Sequence, residues 1–131
     1  MTRSQEREQA FILVYQKAFC PEESLEEIIN LSVESEFLKP SNYTELLSKT
    51  TIEKVGEIDA KISEFAIGWT LERISKVNIS ILRIAVCEML FFEDVPVGVS
   101  INEAVELAKK YATEKDGKFI NGVLGSISRS L

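Results

Sequence analysis

The chain has 131 residues, 45% of them hydrophobic, with a formal net charge of −6 and no histidine. That length suits one domain with a core that needs no staples, and the missing histidine removes the commonest general base, the commonest zinc ligand and every Ser–His or Cys–His pairing. No apolar run reaches the ~18–20 residues that cross a bilayer, and the opening MTRSQEREQAF has no signal-peptide apolar region.

Cys20 and Cys87 are far apart and show no CxxC spacing, so they read as reduced thiols of a cytoplasmic protein. Two cysteines cannot build a Cys₄ zinc site. No GxxxxGK[ST] or GxGxxG loop occurs to cradle a phosphate. The carboxylates sit at helical surface spacing rather than as an isolated pair on apolar flanks. The expectation is no enzyme, no catalytic residue, no metal and no cofactor.

In chain order, Thr2-x-x-Gln5 is a capping box that opens a first helix. Ala10, Phe11, Val14 and Ala18 follow at helical spacing, with Leu13 and Phe19 widening the stripe. Arg3 and Arg7 lie one turn apart on the other face, and Pro21 ends the element. Ser24-x-x-Glu27 caps a short, glutamate-rich second helix made by Leu25, Ile28, Ile29 and Leu31. Ser41 or Asn42 caps a third, with Tyr43, Leu46 and Leu47 inward. The pattern continues through Val55, Ile58, Ile62, Phe65 and Ala66. Gly56 either divides this run or only weakens it, and Gly68 stops it.

Trp69 reads as a core anchor for a short helical turn, LERI, and Asn78 as the cap of the next helix. From Ile79 to Phe92 the chain is apolar nearly all round, as a central buried helix must be, so Arg83 and Glu88 within it need partners. Val95 to Gly98 reads as a turn, Ser100-x-x-Glu103 as a third capping box, Thr113 to Gly117 as a polar loop, and Phe119 to Ile127 as the last helix. No segment alternates with period two, which predicts an all-α protein, and residues 1–131 show no repeat or linker that divides them into domains.

Charge is unevenly placed. Residues 1–20 carry net +1, residues 21–67 net −7, residues 68–107 net −3 and residues 108–131 net +3. A polyanion is attracted only to the two ends. Arg3 and Arg7 suit bidentate phosphate contacts, or else pair with Glu6 and Glu8 on a solvated face. Lys109, Lys110, Lys115 and Lys118 flank one junction beside Phe119. Lysines on the backbone with a base on the ring suit single-stranded nucleic acid. The competing reading makes Phe119 core and the lysines helix-end charges. Tyr15 sits at the rim of the first helix, as core edge or as a stacking ring.

Two stretches carry a further signal: LERISKVNISILRIAVCEML and DVPVGVSINEAVELAKKYATEKDGKFINGVL, with REQAFILVYQ near the start. Together they resemble the NusB family of bacterial transcription antitermination factors. The resemblance implies about seven helices in two small bundles. It also implies binding to boxA RNA with the ribosomal protein NusE, within the RNA polymerase antitermination complex of ribosomal RNA operons. By position it makes Arg7, Tyr15, Lys118 and Phe119 RNA-side residues, with Arg3 in the basic N-terminal stretch; Lys115 is a candidate RNA contact on charge alone. NusE is expected near the start of the central helix and the helix after Ser100, at Asn78 and Glu103. Two features depart from the family: the N-terminal arginines alternate with glutamates, and neutral Asn78 stands where many relatives carry an acid.

A rival expectation is a homodimeric helical interaction module with weak or no RNA binding. A third is the RNA-guiding domain of an RNA methyltransferase, which requires a cofactor-binding half whose motif does not occur here.

Overall fold

A computed structural model describes residues 1–131 as seven α-helices and one 3₁₀ turn, with no strand. In order these are α1 (Arg3–Phe19), α2 (Leu25–Glu34), α3 (Asn42–Glu53), α4 (Val55–Phe65), the 3₁₀ turn Leu71–Arg73, α5 (Lys76–Phe91), α6 (Val97–Tyr111) and α7 (Glu114–Ser130).

The capping boxes at Thr2 and Ser24 form as their sequences require. Thr2 accepts from the Gln5 amide at 3.1 Å and Gln5 Oε1 accepts from the Thr2 amide at 2.8 Å. Ser24 and Glu27 repeat the exchange, and Ser41 rather than Asn42 caps α3. The break between α3 and α4 falls at Lys54, before Gly56. Gly68 has φ +85°, a left-handed conformation that glycine adopts without a Cβ clash, and the chain turns there.

The helices group as α1–α3 and α4–α7, joined where α5 packs on α1 and α3. Ile79, Ile81, Leu82, Ile84, Ala85, Val86 and Cys87 of α5 are all buried. Each large one contributes roughly 1.5–3 kcal/mol by leaving water. One continuous core spans both groups, and a small satellite of Leu13, Leu25, Ile28, Ile29 and Leu38 lies under α2. Burial pushes the Cys87 thiol up to about 11, which keeps it protonated, while Cys20 is free and exposed.

Four local expectations are corrected. Asn78 does not cap α5: Ser75 does, accepting from the Asn78 amide at 3.1 Å. Ser100 does not cap α6 either. That helix starts at Val97 after Pro96, whose φ of −60° suits a helix entry, and Ser100 lies buried one turn inside. Leu46 points outward, because Thr44, Leu47, Ser48 and Thr51 form the buried face of α3. Trp69 is 49% exposed rather than a core anchor. The turn at Gly68 carries the chain out of the interior before the indole is placed.

Candidate nucleic-acid interface

Arg7 does not lie on an outer face. It is 5% exposed, with its Nε donating to both Glu88 oxygens at 3.0 and 2.8 Å. Ser100 Oγ donates to the same carboxylate at 2.9 Å, and so does the Tyr43 hydroxyl. A carboxylate buried on the central helix must be saturated with donors, and α1, α3 and α6 each supply one. Burial opposes the charge on Arg7, but the Glu88 hydrogen bond and the charges of Glu88 and Glu103 outweigh it and raise the pKa. Arg83, the other charge in this helix, pairs in a two-pronged contact with Asp59 at 2.9 and 2.8 Å.

Arg3 is exposed. Its guanidinium lies 3.7 Å from the centre of the Tyr43 ring, with Glu6 at 3.4 Å. It borders a groove of about 760 Å³ between Tyr43, Phe91, Phe92 and Val99. Twelve residues separate Arg3 from Tyr15, so the two are about 18 Å apart along α1 and face roughly 120° apart.

The basic junction is not a loop. Only Ala112 and Thr113 lie between α6 and α7, so Lys115 and Lys118 belong to the first turns of α7. Thr113 caps that helix, accepting from the Asp116 amide at 3.1 Å. Thr113-x-x-Asp116 carries the same capping signal as the N-terminal boxes, and it is the sequence feature that marks this start.

Lys115 and Phe119 are one turn apart, roughly 40° around the helix axis. Lys118 faces elsewhere, into a groove with Asn102, Lys109 and Asn121 between α6 and α7. Lys115 and Lys118 are exposed and belong to none of the chain's ion pairs. Phe119 is half-buried, packed on the core, with the Trp69 ring centre 5.5 Å away at 60°.

Four contacts hold the α6–α7 junction against α1 and α5. Tyr111, at the end of α6, stacks on Phe11 at 5.0 Å and donates its hydroxyl to Glu8. Lys110 reaches the same Glu8 oxygen at 2.6 Å. Burial works against the Glu8 charge, but the hydrogen bonds from Lys110 and Tyr111 prevail and lower its pKa. At the other side, Asn78 Nδ2 donates to Asp116 at 2.9 Å, and this bond with that of Thr113 holds the Asp116 carboxyl low. Lys76, two residues before Asn78, lies 5.4 Å from the Phe19 ring centre, and Phe19 stacks edge-on with Tyr15 at 4.9 Å.

One end of the molecule therefore gathers Tyr15, Phe19, Lys76, Lys115, Phe119 and Trp69. Arg3 sits toward the opposite end. Asn78 is 6% exposed and Glu103 accepts from Ser4 at 2.5 Å and from Arg7 at 3.5 Å. Asn78 ties α5 to α7 from beneath the surface, whereas Glu103, its side chain 26% exposed, ties α6 to α1 at the surface. Phe19, Lys76 and Trp69 escape a reading by spacing, because each joins this surface only through contacts across helices.

The model of the NusB family matches residues 4–129. The chain belongs to the NusB family. NusB-family relatives include the transcription antitermination protein NusB of Natranaerobius thermophilus, 41% identical with 100% of this chain and 97% of the relative covered. That of Acetivibrio thermocellus is 44% identical, with 97% and 88% covered. Among solved structures, the antitermination factors NusB and NusE in complex with dsRNA give a TM-score of 0.85 at 31% identity, with 100% of both chains covered. NusB from T. maritima gives 0.86 at 35%, with 98% and 92% covered. The all-α fold expected of a NusB-family member is the fold observed, and no helix is long and apolar enough to cross a membrane.

Proposed function

We propose that this chain is a transcription antitermination factor that binds boxA-type RNA together with the ribosomal protein NusE. In the cytoplasm the pair joins the RNA polymerase antitermination complex during ribosomal RNA transcription. The observation that carries the reading is the unpaired Lys115 one turn from the half-buried Phe119, at the basic end of an otherwise acidic chain. Membership of a family whose relatives bear the antitermination name, and the likeness to a NusB–NusE–dsRNA complex, support it.

RNA phosphates are neutralised by Lys115 and Lys118 while a base packs on Phe119 and Tyr15 edges the path. Arg3 extends the path as an outlying contact. Arg7 acts from below, locking α1 to α5 through Glu88. Asn78 and Glu103 support the partner's footing indirectly, Asn78 by fixing α7 through Asp116 and Glu103 by fixing α1 to α6. No catalytic step, metal or cofactor enters this mechanism. The chain's net charge makes a second, basic protein necessary for tight binding.

Titration of a fluorescent boxA RNA into the chain with and without NusE tests the reading. Salt-sensitive binding that strengthens with NusE and weakens in Phe119→Ala supports it. Absence of binding with NusE present rejects it. A homodimeric module with little RNA affinity is the second reading, favoured by the exposed apolar Leu31, Phe37 and Ile67. Sedimentation across concentrations separates the two, since a tight dimer that ignores RNA supports only the second.

A further inference from the structure

We propose that the outer face of the base platform is Trp69: an unpaired RNA base stacks on its indole, with Phe119 as the wall behind. The inference rests on the reading of Lys115 and Phe119 as RNA contacts and adds a residue that this reading does not contain.

Three observations carry it. Phe119 packs on the core, whereas Trp69, 5.5 Å away, is 49% exposed. A base approaching this pair meets the indole first. Next, the position of Trp69 is held by the backbone. Its amide donates to the Ala66 carbonyl at 3.0 Å across the left-handed Gly68, which fixes the backbone, and the Phe119 ring 5.5 Å away backs the indole. Finally, the surroundings suit a nucleotide. The indole N–H makes no hydrogen bond within the protein, and neither Lys115 nor the exposed Arg73, four residues after Trp69, belongs to an ion pair.

A large flat π-face beside unneutralised cations is the arrangement that sequence-tolerant stacking uses.

Trp69 is the only tryptophan of the chain, so it reports on itself. The chain is labelled with 5-fluorotryptophan, mixed with unlabelled NusE, and followed by fluorine resonance as single-stranded boxA RNA is added. The resonance is expected to move with RNA and only slightly with NusE. In parallel, Trp69→Ala and Trp69→Leu are expected to weaken RNA binding roughly tenfold, and Trp69→Phe by about twofold, on the scale of one lost stacking contact. Thermal melting of each variant checks the fold, and the labelled wild type carries the test if a variant does not fold.

If RNA binds but the resonance stays still and Trp69→Leu binds as wild type, this inference is overturned while the proposed function stands. A resonance that moves fully with NusE and not further with RNA assigns Trp69 to the protein interface and also overturns it. Failure of the wild type to bind RNA removes both.

Discussion

Arg7 and Glu88 form a buried ion pair across 2.8 Å, with only 6% and 1% of their side chains exposed. They lie 81 residues apart in sequence, on the first helix and the central one. Breaking such a pair from one side leaves a buried charge without a partner, which costs about 3–5 kcal/mol. Arg7→Met is therefore expected to lower unfolding stability by that order in urea titration. The double variant Arg7→Met, Glu88→Leu recovers much of the loss, because no charge is stranded. A single variant as stable as wild type contradicts the structural role given to Arg7.

The salt dependence of RNA binding separates the basic residues. Each phosphate contact on a single strand adds about 0.7 to the slope of log affinity against log salt. Lys115→Ala and Lys118→Ala are each expected to reduce the slope by about that much. Arg7→Lys, provided it folds, leaves the slope unchanged, since a buried guanidinium held by Glu88 releases no counterion. Equal slopes in all three variants exclude the phosphate path along the start of α7.

Asn78→Ala removes the bond that holds Asp116 and with it the seat of the first turn of α7. A hydrogen bond to a charged acceptor is worth about 1.5–3 kcal/mol. Hydrogen exchange at the amides of residues 114–119 should accelerate, while that of α5 interior amides changes less. Uniform protection across α7 in the variant would remove Asn78 from this role.

Asp116 and Glu8 both have pKa values below those of the free side chains, 3.8 and 4.5. A lowered carboxylate pKa stabilises the fold above the unfolded value, and that contribution disappears as pH falls through the folded value. Acid titration is thus expected to loosen the α6–α7 junction below about pH 4, before the core unfolds. Two-dimensional NMR of residues 111–119 against pH gives the order of events.

Tyr111 moves the opposite way. Burial and its bond to Glu8 raise its pKa from 10.0 to about 12. The protonated phenol is the form that the fold favours, so its contribution is full below pH 10 and is lost as pH rises through about 12. Tyrosinate absorbance should show this ring titrating late, and Glu8→Gln should bring it earlier.

Local chemistry carried much of this architecture. Thr2 with Gln5 and Ser24 with Glu27 are self-contained boxes, closed within four residues, so their helices start where their letters say. Gly68 stops α4 because few other residues tolerate its φ. Ser100-x-x-Glu103 has the same letters and does not cap, since Glu88 and Arg7 claim both side chains from other helices. Spacing alone has no knowledge of a carboxylate 12 residues away that needs a donor.

The candidate surface divides along the same line. Periodicity and net charge identify α5 as central and the ends as the places for a polyanion, because hydrophobic burial and repulsion depend on composition near each position. Which cations remain free depends on pairing across helices. Arg7 reads as an outer-face phosphate ligand until Glu88, from the far half of the chain, meets it in the core. Lys115 and Phe119 share a face by helical geometry, but Trp69 reaches them only when the turn at Gly68 returns the chain to α7. Elements follow from neighbours in sequence. Ion pairs and stacking pairs follow from neighbours in space, and packing about α5 is what brings those together.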